Sequence, residues 1–307
     1  ATGSQGRLIC YNSLLGRRLA NDLPPDPRLT VGTFHSQMLS LTGATVPHEA
    51  ASRFWEVELP ERAIEVLLEE AVPQADFLII DEIQDLLSEP YLDVLDLLVK
   101  GGMSGGRLLM FGDFERQALF DDGQGRQLLE GRSPFLASHR LTMNCRNLPR
   151  ICKVVNMFSG LTPGYQKYRR DDDGANPAWL PYTRAEDQSS LLRKAVERLR
   201  EESFELHEIV VLSPLGAGSV ANVTADPWLK SVLEPADGVR ARKGKIRYSS
   251  IHAYKGLEAP AVIVTDLDRA SVPNFVSVLY VGLTRATDRL YGVIEAGTGA
   301  AGLAGKL

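Results

Sequence analysis

Phe77-Leu78-Ile79-Ile80 runs directly into Asp81-Glu82-Ile83-Gln84-Asp85, so that two adjacent carboxylates follow an apolar run. A carboxylate at a strand end can hold a magnesium ion through water, and a second beside it can orient and deprotonate an attacking water. A buried strand ending in an acidic helix cap has the same outline; Gln84-Asp85 sharpens the catalytic reading. Leu108-Leu109-Met110-Phe111 leads in the same way into Gly112-Asp113, with Gln117 shortly after. The glycine would let a ligand approach the backbone, and an amide can accept from water while donating to a phosphate oxygen. By itself this second cluster is equally an ordinary strand-to-loop turn. Three more clusters carry arginines or small polar sets: Leu141-Thr142-Met143-Asn144-Cys145-Arg146-Asn147, then Ser249 to Glu258, then Leu279 to Thr287 with Arg285. Guanidinium groups suit the charge that develops on a transferring phosphoryl group, although a surface arginine in a salt bridge is the commoner case.

The elements that must position these groups read as an α/β fold with parallel sheets. Strands are expected at Leu8–Tyr11, Phe77–Ile80, Leu108–Phe111, Ile209–Leu212 and Ala261–Val264, because continuous apolar runs suit strands buried on both faces. Helices are expected at Glu61–Ala71, Tyr91–Lys100, Leu148–Phe158 and Glu186–Arg200, the last with Leu191, Leu192, Ala195, Val196 and Leu199 on one stripe. Ligands of such sheets bind at the carboxyl ends of the strands, where most of the clusters fall. Loops are marked by Gly101–Gly106, by Arg169–Pro177 and by Pro214–Gly218; the Arg169–Asp173 charge run reads as a solvated surface loop, and Ala296–Leu307 as a fraying end. A domain boundary is expected near Ser138, before a new strand carrying Leu141–Asn144.

The bulk properties bound the rest. A chain of 307 residues with 44% hydrophobic and 24% charged residues is long enough for two domains with their own cores. No apolar run approaches the roughly 18–20 residues that span a bilayer, and Ala1–Leu8 has no apolar core of a signal peptide, so no membrane partner is expected. Three cysteines, Cys10, Cys145 and Cys152, lack metal-ligand spacing and fit a reducing compartment; a cytoplasmic location is expected. A net charge of -5 gives no global basic signal, so any nucleic-acid groove must be locally basic.

Taken together and in order, the clusters resemble the UvrD/Rep-like superfamily 1A DNA helicases. Asp81–Asp85 resembles their motif II, Gly112-Asp113 with Gln117 motif III, Asn144-Cys145-Arg146 motif IV, Ile251-His252 with Lys255-Gly256-Leu257-Glu258 motif V, and Tyr280–Ala286 motif VI. Upstream, Cys10-Tyr11-Asn12 resembles motif Ia and Val31–Ser36 the next DNA-contacting motif. The resemblance implies two RecA-like P-loop NTPase domains, at residues 1–138 and 139–307, and an ATP-hydrolysing helicase or translocase that acts on single-stranded DNA with ATP and Mg2+. By similarity Asp81 would hold magnesium, Glu82 would activate water, and Gln117 would sense the γ-phosphate. Arg146 and Arg285 would reach the nucleotide as arginine fingers, with Asp113, Gly256 and Glu258 also at the nucleotide. Asn12, Thr33, Phe34, His35 and His252 would lie along the single strand, where backbone contacts and stacking give sequence-tolerant binding.

Three departures qualify that picture. No G-x-x-x-x-G-K-[ST] stretch occurs. The first domain is therefore expected to be N-terminally incomplete, the chain to be a fragment of a longer helicase, and hydrolysis by the chain alone to be poor; the alternative is a catalytically silent helicase-like module that binds DNA or protein. Cys145 stands where the family has a tyrosine that stacks on adenine, and a thiol cannot supply that stack. The short stretches between His35 and Phe77 and between motifs IV and V imply a minimal motor, with a fused or partner nuclease domain as a further expectation.

Overall fold

Continuous apolar runs build the central strands of two separate parallel sheets. The computed structural model describes residues 3–69, 72–114, 125–159, 167–238 and 241–298. The chain divides into two compact units, Ala1–His139 and Arg140–Leu307.

In the first unit the elements are β1 (Gly6–Cys10), α1 (Ser13–Asp22), β2 (Leu29–Thr33), α2 (Phe34–Thr42), α3 (Leu59–Glu69), β3 (Phe77–Ile80), α4 (Glu89–Leu98), the short α5 (Gly102–Gly105), β4 (Leu108–Met110) and α6 (Gly125–Arg132). The strands pair in the order β2-β1-β3-β4, all parallel. Local chemistry sets the helix ends. Asn12 and Thr33 cap α1 and α2, Gly43 ends α2 in the left-handed region at φ 63°, and α4 starts with Pro90 in its first turn. Ile9, Leu78 and Ile80 from the strands pack with Phe34, Met38, Leu59, Leu92 and Leu95 from the helices. The crossovers that a parallel sheet requires supply the helices that cover its faces.

The second unit holds β5 (Met143–Asn144), α7 (Pro149–Ser159), β6 (Lys167–Tyr168), β7 (Ala178–Tyr182), α8 (Gln188–Glu201), β8 (Ile209–Ser213), α9 (Val220–Val223), α10 (Pro227–Val232), β9 (Leu233–Pro235), β10 (Ile246–Ser250), β11 (Ala259–Leu267), α11 (Phe275–Leu283) and β12 (Ala286–Glu295). Its main sheet runs β7-β12-β11-β8-β10-β9, again all parallel, and β5 pairs with β6 alone. The central β8 and β11 are buried almost end to end. Along α8 the buried stripe is Leu192, Ala195, Val196 and Leu199, with Leu191 at its margin.

The α/β class with parallel sheets holds. Several details of the expectation change. The Gly101–Gly106 stretch, read as a loop, contains α5, and the strand expected over Leu141–Asn144 is only Met143–Asn144. The Arg169–Asp173 run lies in an exposed surface loop as expected, only Arg170 being half-buried, and the charges of Arg170, Asp172 and Asp173 are paired. Arg170 donates to the carbonyls of Arg146 and Thr287 and pairs with Asp288, while Asp172 and Asp173 pair with Arg150 and Arg289. The expected helix end at Ala71, the γ-phosphate sensor Gln117 and the tail beyond Thr298 lie outside the described residues. Among the described residues no helix is long and apolar enough to cross a membrane, and no group of three or more His, Cys, Asp or Glu side chains could hold a metal ion.

Candidate functional site

In the first unit the acid pair sits where three parallel strands end. Asp81 and Glu82 follow β3; the Asp81 amide donates to Ile9 O in β1 at 2.9 Å, and the Ile83 amide to Phe111 O beyond β4 at 2.9 Å. The Glu82 amide donates to Asp81 Oδ1 at 3.1 Å. Cys10, which ends β1, has its thiol pushed up to about 12 by burial and then by the charges of Asp81 and Glu82. Glu82 itself occupies the left-handed region at φ 56°, uncommon for a non-glycine residue and a form of local strain associated with functional sites.

Gln84 ties this end of the sheet together. Its side chain is 3% exposed. Nε2 donates to Glu82 Oε2, while Oε1 accepts from the Asp113 amide at 3.1 Å. Gly112 is required beside it: a Cβ there would lie 2.8 Å from Gln84 Oε1 and 2.8 Å from Ile83 Cγ2. The structure thus brings Asp81, Glu82 and Asp113 to one sheet edge through a residue that sequence reading quoted but gave no role. The signal was present in the amide type at that position, since one amide can donate and accept at once.

The expected strand-contacting residues of this unit fall into three kinds. Asn12 and Thr33 spend side-chain oxygens on helix caps, Asn12 accepting from the Leu14 and Leu15 amides at 2.9 and 3.3 Å and Thr33 from Ser36 at 3.0 Å. Phe34 is fully buried, its ring edge-on to Tyr91 at 5.1 Å. A ring with no exposed face cannot stack on a base, so Phe34 belongs to the core. His35 is only partly buried and lies edge-on to Tyr11, Trp55 and Tyr91, with centroids 5.3, 5.3 and 5.6 Å away. Tyr91 Oη donates to Trp55 O at 3.2 Å, which commits its one proton; His35 Nε2 therefore donates to Tyr91 Oη across 2.8 Å. Burial pushes the His35 imidazole down to about 4, so it is neutral at neutral pH. Trp55 is carried by a π-helical turn, Phe54–Glu58, a feature often found at functional positions and not legible in the sequence.

In the second unit three turns converge. The Asn144–Asn147 turn is closed by Asn144 Oδ1, which accepts from the amides of Arg146 and Asn147 at 3.0 and 2.9 Å. From it Arg146 Nε donates to Glu258 Oε2 at 2.6 Å, both side chains partly exposed. The Ile251–Glu258 turn needs Gly256 at φ +85°. Arg285, in the turn after α11, is 1% exposed. Its guanidinium donates to Val281 O at 2.9 Å, Leu257 O at 3.3 Å and Thr284 Oγ1 at 2.9 Å. Arg146, Gly256, Glu258 and Arg285 are thus assembled together, Arg146 presented and Arg285 inward. His252 is exposed, its imidazole lowered by partial burial and then by Lys255.

Residues 245–293, which include the second and third of these turns, match the UvrD-like helicase C-terminal domain. A 48-residue segment, 16% of the chain, is 44% identical to the mitochondrial ATP-dependent DNA helicase HMI1 of Saccharomyces cerevisiae and spans 7% of that protein. Among solved structures, the C-terminal domain of a possible DNA helicase from Lactobacillus plantarum covers 49% of the chain and 86% of its own length, with 16% identity and a TM-score of 0.39. The arterivirus nonstructural protein 10 helicase covers 98% of the chain with 14% identity and a TM-score of 0.45, the chain spanning 55% of its length. Likenesses this distant say nothing of function. The sequence matches show a likeness to UvrD-like helicase C-terminal domains over residues 245–293, and the chain spans well under two thirds of the curated relative it matches.

Proposed function

We infer that the chain is the core of an ATP-dependent helicase or translocase that acts on single-stranded DNA. The observation that carries the reading is in the first unit: Asp81 and Glu82 end β3, Gly112-Asp113 follow the adjacent β4, and Gln84 bonds to both groups. The helicase-family match over residues 245–293 supports it from the second unit. In this reading Asp81 would hold Mg2+, whose preference for hard carboxylate oxygen and phosphate ligands suits a carboxylate at a strand end. When bound, the ion neutralises charge on the phosphates. Glu82 orients and deprotonates water, and Arg146 supplies positive charge to the transferring phosphoryl group. Gln117 remains the proposed γ-phosphate sensor, and Arg285 a second arginine at the nucleotide. Glu258 and Gly256 are the proposed ribose-side contacts. His35, with Tyr11 and Trp55, offers an uncharged aromatic surface to a base, and His252 a second contact to the strand.

No G-x-x-x-x-G-K-[ST] stretch is present to cradle β- and γ-phosphates, so turnover by these residues alone is expected to be slow. A second reading, a catalytically silent module that binds DNA or protein, draws on the burial of Arg285, which is turned inward rather than presented. The test measures oligo-dT affinity, Mg-ATP affinity and ATP turnover of the chain and of Glu82→Gln. The motor reading expects binding of both ligands, weak turnover stimulated by oligo-dT, and loss of that turnover in Glu82→Gln with ATP affinity retained. DNA binding with no ATP binding favours the silent module. Binding of neither ligand refutes both nucleic-acid readings, and turnover unchanged in Glu82→Gln removes Glu82 from its role.

A further inference from the structure

Asn147 is among the most buried polar side chains in the second unit, 1% exposed, and no catalytic step described above uses it. Its Nδ2 donates to two backbone carbonyls, Thr284 O at 3.0 Å and Ala286 O at 2.6 Å. These carbonyls flank Arg285. Its Oδ1 accepts from Asn144 Nδ2 at 3.0 Å, and its own amide donates to Asn144 Oδ1 at 2.9 Å. Asn144 Oδ1 accepts the Arg146 amide as well. One side chain therefore joins the backbone that carries Arg146 to the backbone on both sides of Arg285.

A second link runs in parallel. Arg170 Nη1 donates to Arg146 O at 3.0 Å and to Thr287 O at 2.8 Å, and the Leu148 amide donates to Thr287 O at 3.1 Å. The connection is thus made at several points spread over both turns. Both N–H donors of the Asn147 side chain and its carbonyl oxygen are engaged. That saturation gives a buried amide a single orientation, because any rotation would strand a polar atom out of water.

We propose that Asn147 is a positioning residue that ties the turn carrying Arg146 to the turn carrying the buried Arg285 in one fixed frame, so that Arg146 is presented to a polyphosphate from a rigid base. The inference rests on the nucleotide reading for its ligand but not for its geometry. No other residue type of this size does the same work. Aspartate would turn a carboxylate toward two carbonyl oxygens, and leucine would leave both carbonyls and Asn144 Nδ2 without a partner.

The test uses the whole chain and two measurements. In the first, calorimetry follows binding of inorganic tripolyphosphate to the wild type, Arg146→Ala, Asn147→Ala and the double variant, below the melting temperature of each. Arg146→Ala is expected to weaken binding about tenfold, as for loss of a charged hydrogen bond. Asn147→Ala is expected to weaken it several-fold, and the double variant no further than Arg146→Ala alone, because Asn147 acts through the arginine. A side chain that only stabilises the fold would lower the melting temperature and leave affinity alone. In the second measurement, NMR of the arginine-labelled chain without ligand reads the Arg146 and Arg285 signals, and Asn147→Ala is expected to move both. Independent effects of Asn147 and Arg146 on affinity, or movement of the signals of one arginine only, overturn the proposal. If the wild type does not bind tripolyphosphate through Arg146 while both arginine signals move, the frame stands and the nucleotide reading falls.

Discussion

His35 is neutral at neutral pH, and the cost of charging it makes stability depend on pH in a way the structure sizes. Its folded value lies near 4 against an ordinary 6.5, the cause being burial among Tyr11, Trp55 and Tyr91. Between those values the unfolded chain binds a proton that the folded chain does not, so stability is full above the ordinary value and falls as pH drops toward 4. The complete shift corresponds to about 3 kcal/mol, of which about 2 kcal/mol is lost between about pH 7.5 and about pH 5. The perturbation is His35→Phe, which keeps an aromatic ring of similar size and cannot titrate. It forfeits the donation to Tyr91 Oη, so it is expected to be about 1 kcal/mol less stable than the wild type at pH 7.5. Urea unfolding of the first unit at both pH values then gives the slope for each protein. The wild type is expected to lose about 2 kcal/mol more than the variant over the window. Equal losses, or an NMR titration of His35 near its ordinary value, would refute the reasoning. A neutral His35 also adds no cation to a phosphate backbone, so the substitution should leave the salt dependence of oligo-dT binding unchanged.

Three further outcomes are expected. Asp266 is 5% exposed at φ +58° and accepts from Ser213 Oγ at 2.6 Å, Thr265 Oγ1 at 2.9 Å and the Val220 amide at 3.2 Å. Asp266→Ala strands these donors in a left-handed position and should cost the second unit about 3 kcal/mol in urea unfolding; a loss under about 1 kcal/mol would show the donors find water instead. Glu258→Gln frees Arg146 from its partly exposed partner and should tighten tripolyphosphate binding about two- to fivefold, a surface ion pair being worth up to about 1 kcal/mol; weaker binding would mean that the Glu258 charge helps to build the site. Gln84→Leu should shift the Asp113 amide resonance and cost about 1–2 kcal/mol, because it removes that amide's acceptor; an unmoved Asp113 signal would dissolve the bridge.

The parts of the fold legible in the sequence were those whose burial leaves a simple pattern. Leu8, Phe77–Ile80, Ile209–Leu212 and Ala261–Val264 lie in strands that read as unbroken apolar runs. β10, Ile-Arg-Tyr-Ser-Ser, pairs on one side with the short outer β9 and carries polar residues, so no run announces it. β12 opens with Ala-Thr-Asp-Arg because its first residues bond to the Arg146 and Arg170 region before its apolar half enters the core. α11 was missed for the opposite reason: Val278–Leu283 are all buried, so the helix lacks the polar face that makes a period visible. The charged residues of the candidate site are picked out in sequence by type and order alone, whereas depth leaves no mark there. Phe34 and Arg285 look in sequence like groups offered to a ligand, and only packing shows both turned inward. Arg170 sits in a charge run whose composition says solvent, yet its partners are backbone carbonyls brought close by the fold.

The residues that position these charged groups are amides in both units, and chemistry gives the reason. Gln84 joins the Glu82 carboxylate to the Asp113 backbone, Asn144 holds the amides of Arg146 and Asn147, and Asn147 spans the carbonyls around Arg285. A carboxylate in these places could only accept and a lysine or arginine could only donate, whereas each position requires both. A charged side chain would also add its own field beside Glu82, Arg146 and Arg285, and would pay a larger penalty for burial. A neutral amide avoids both costs and does not itself titrate. The uncharged residues beside the acid pair and the arginines thus fix the geometry in which the charged residues stand.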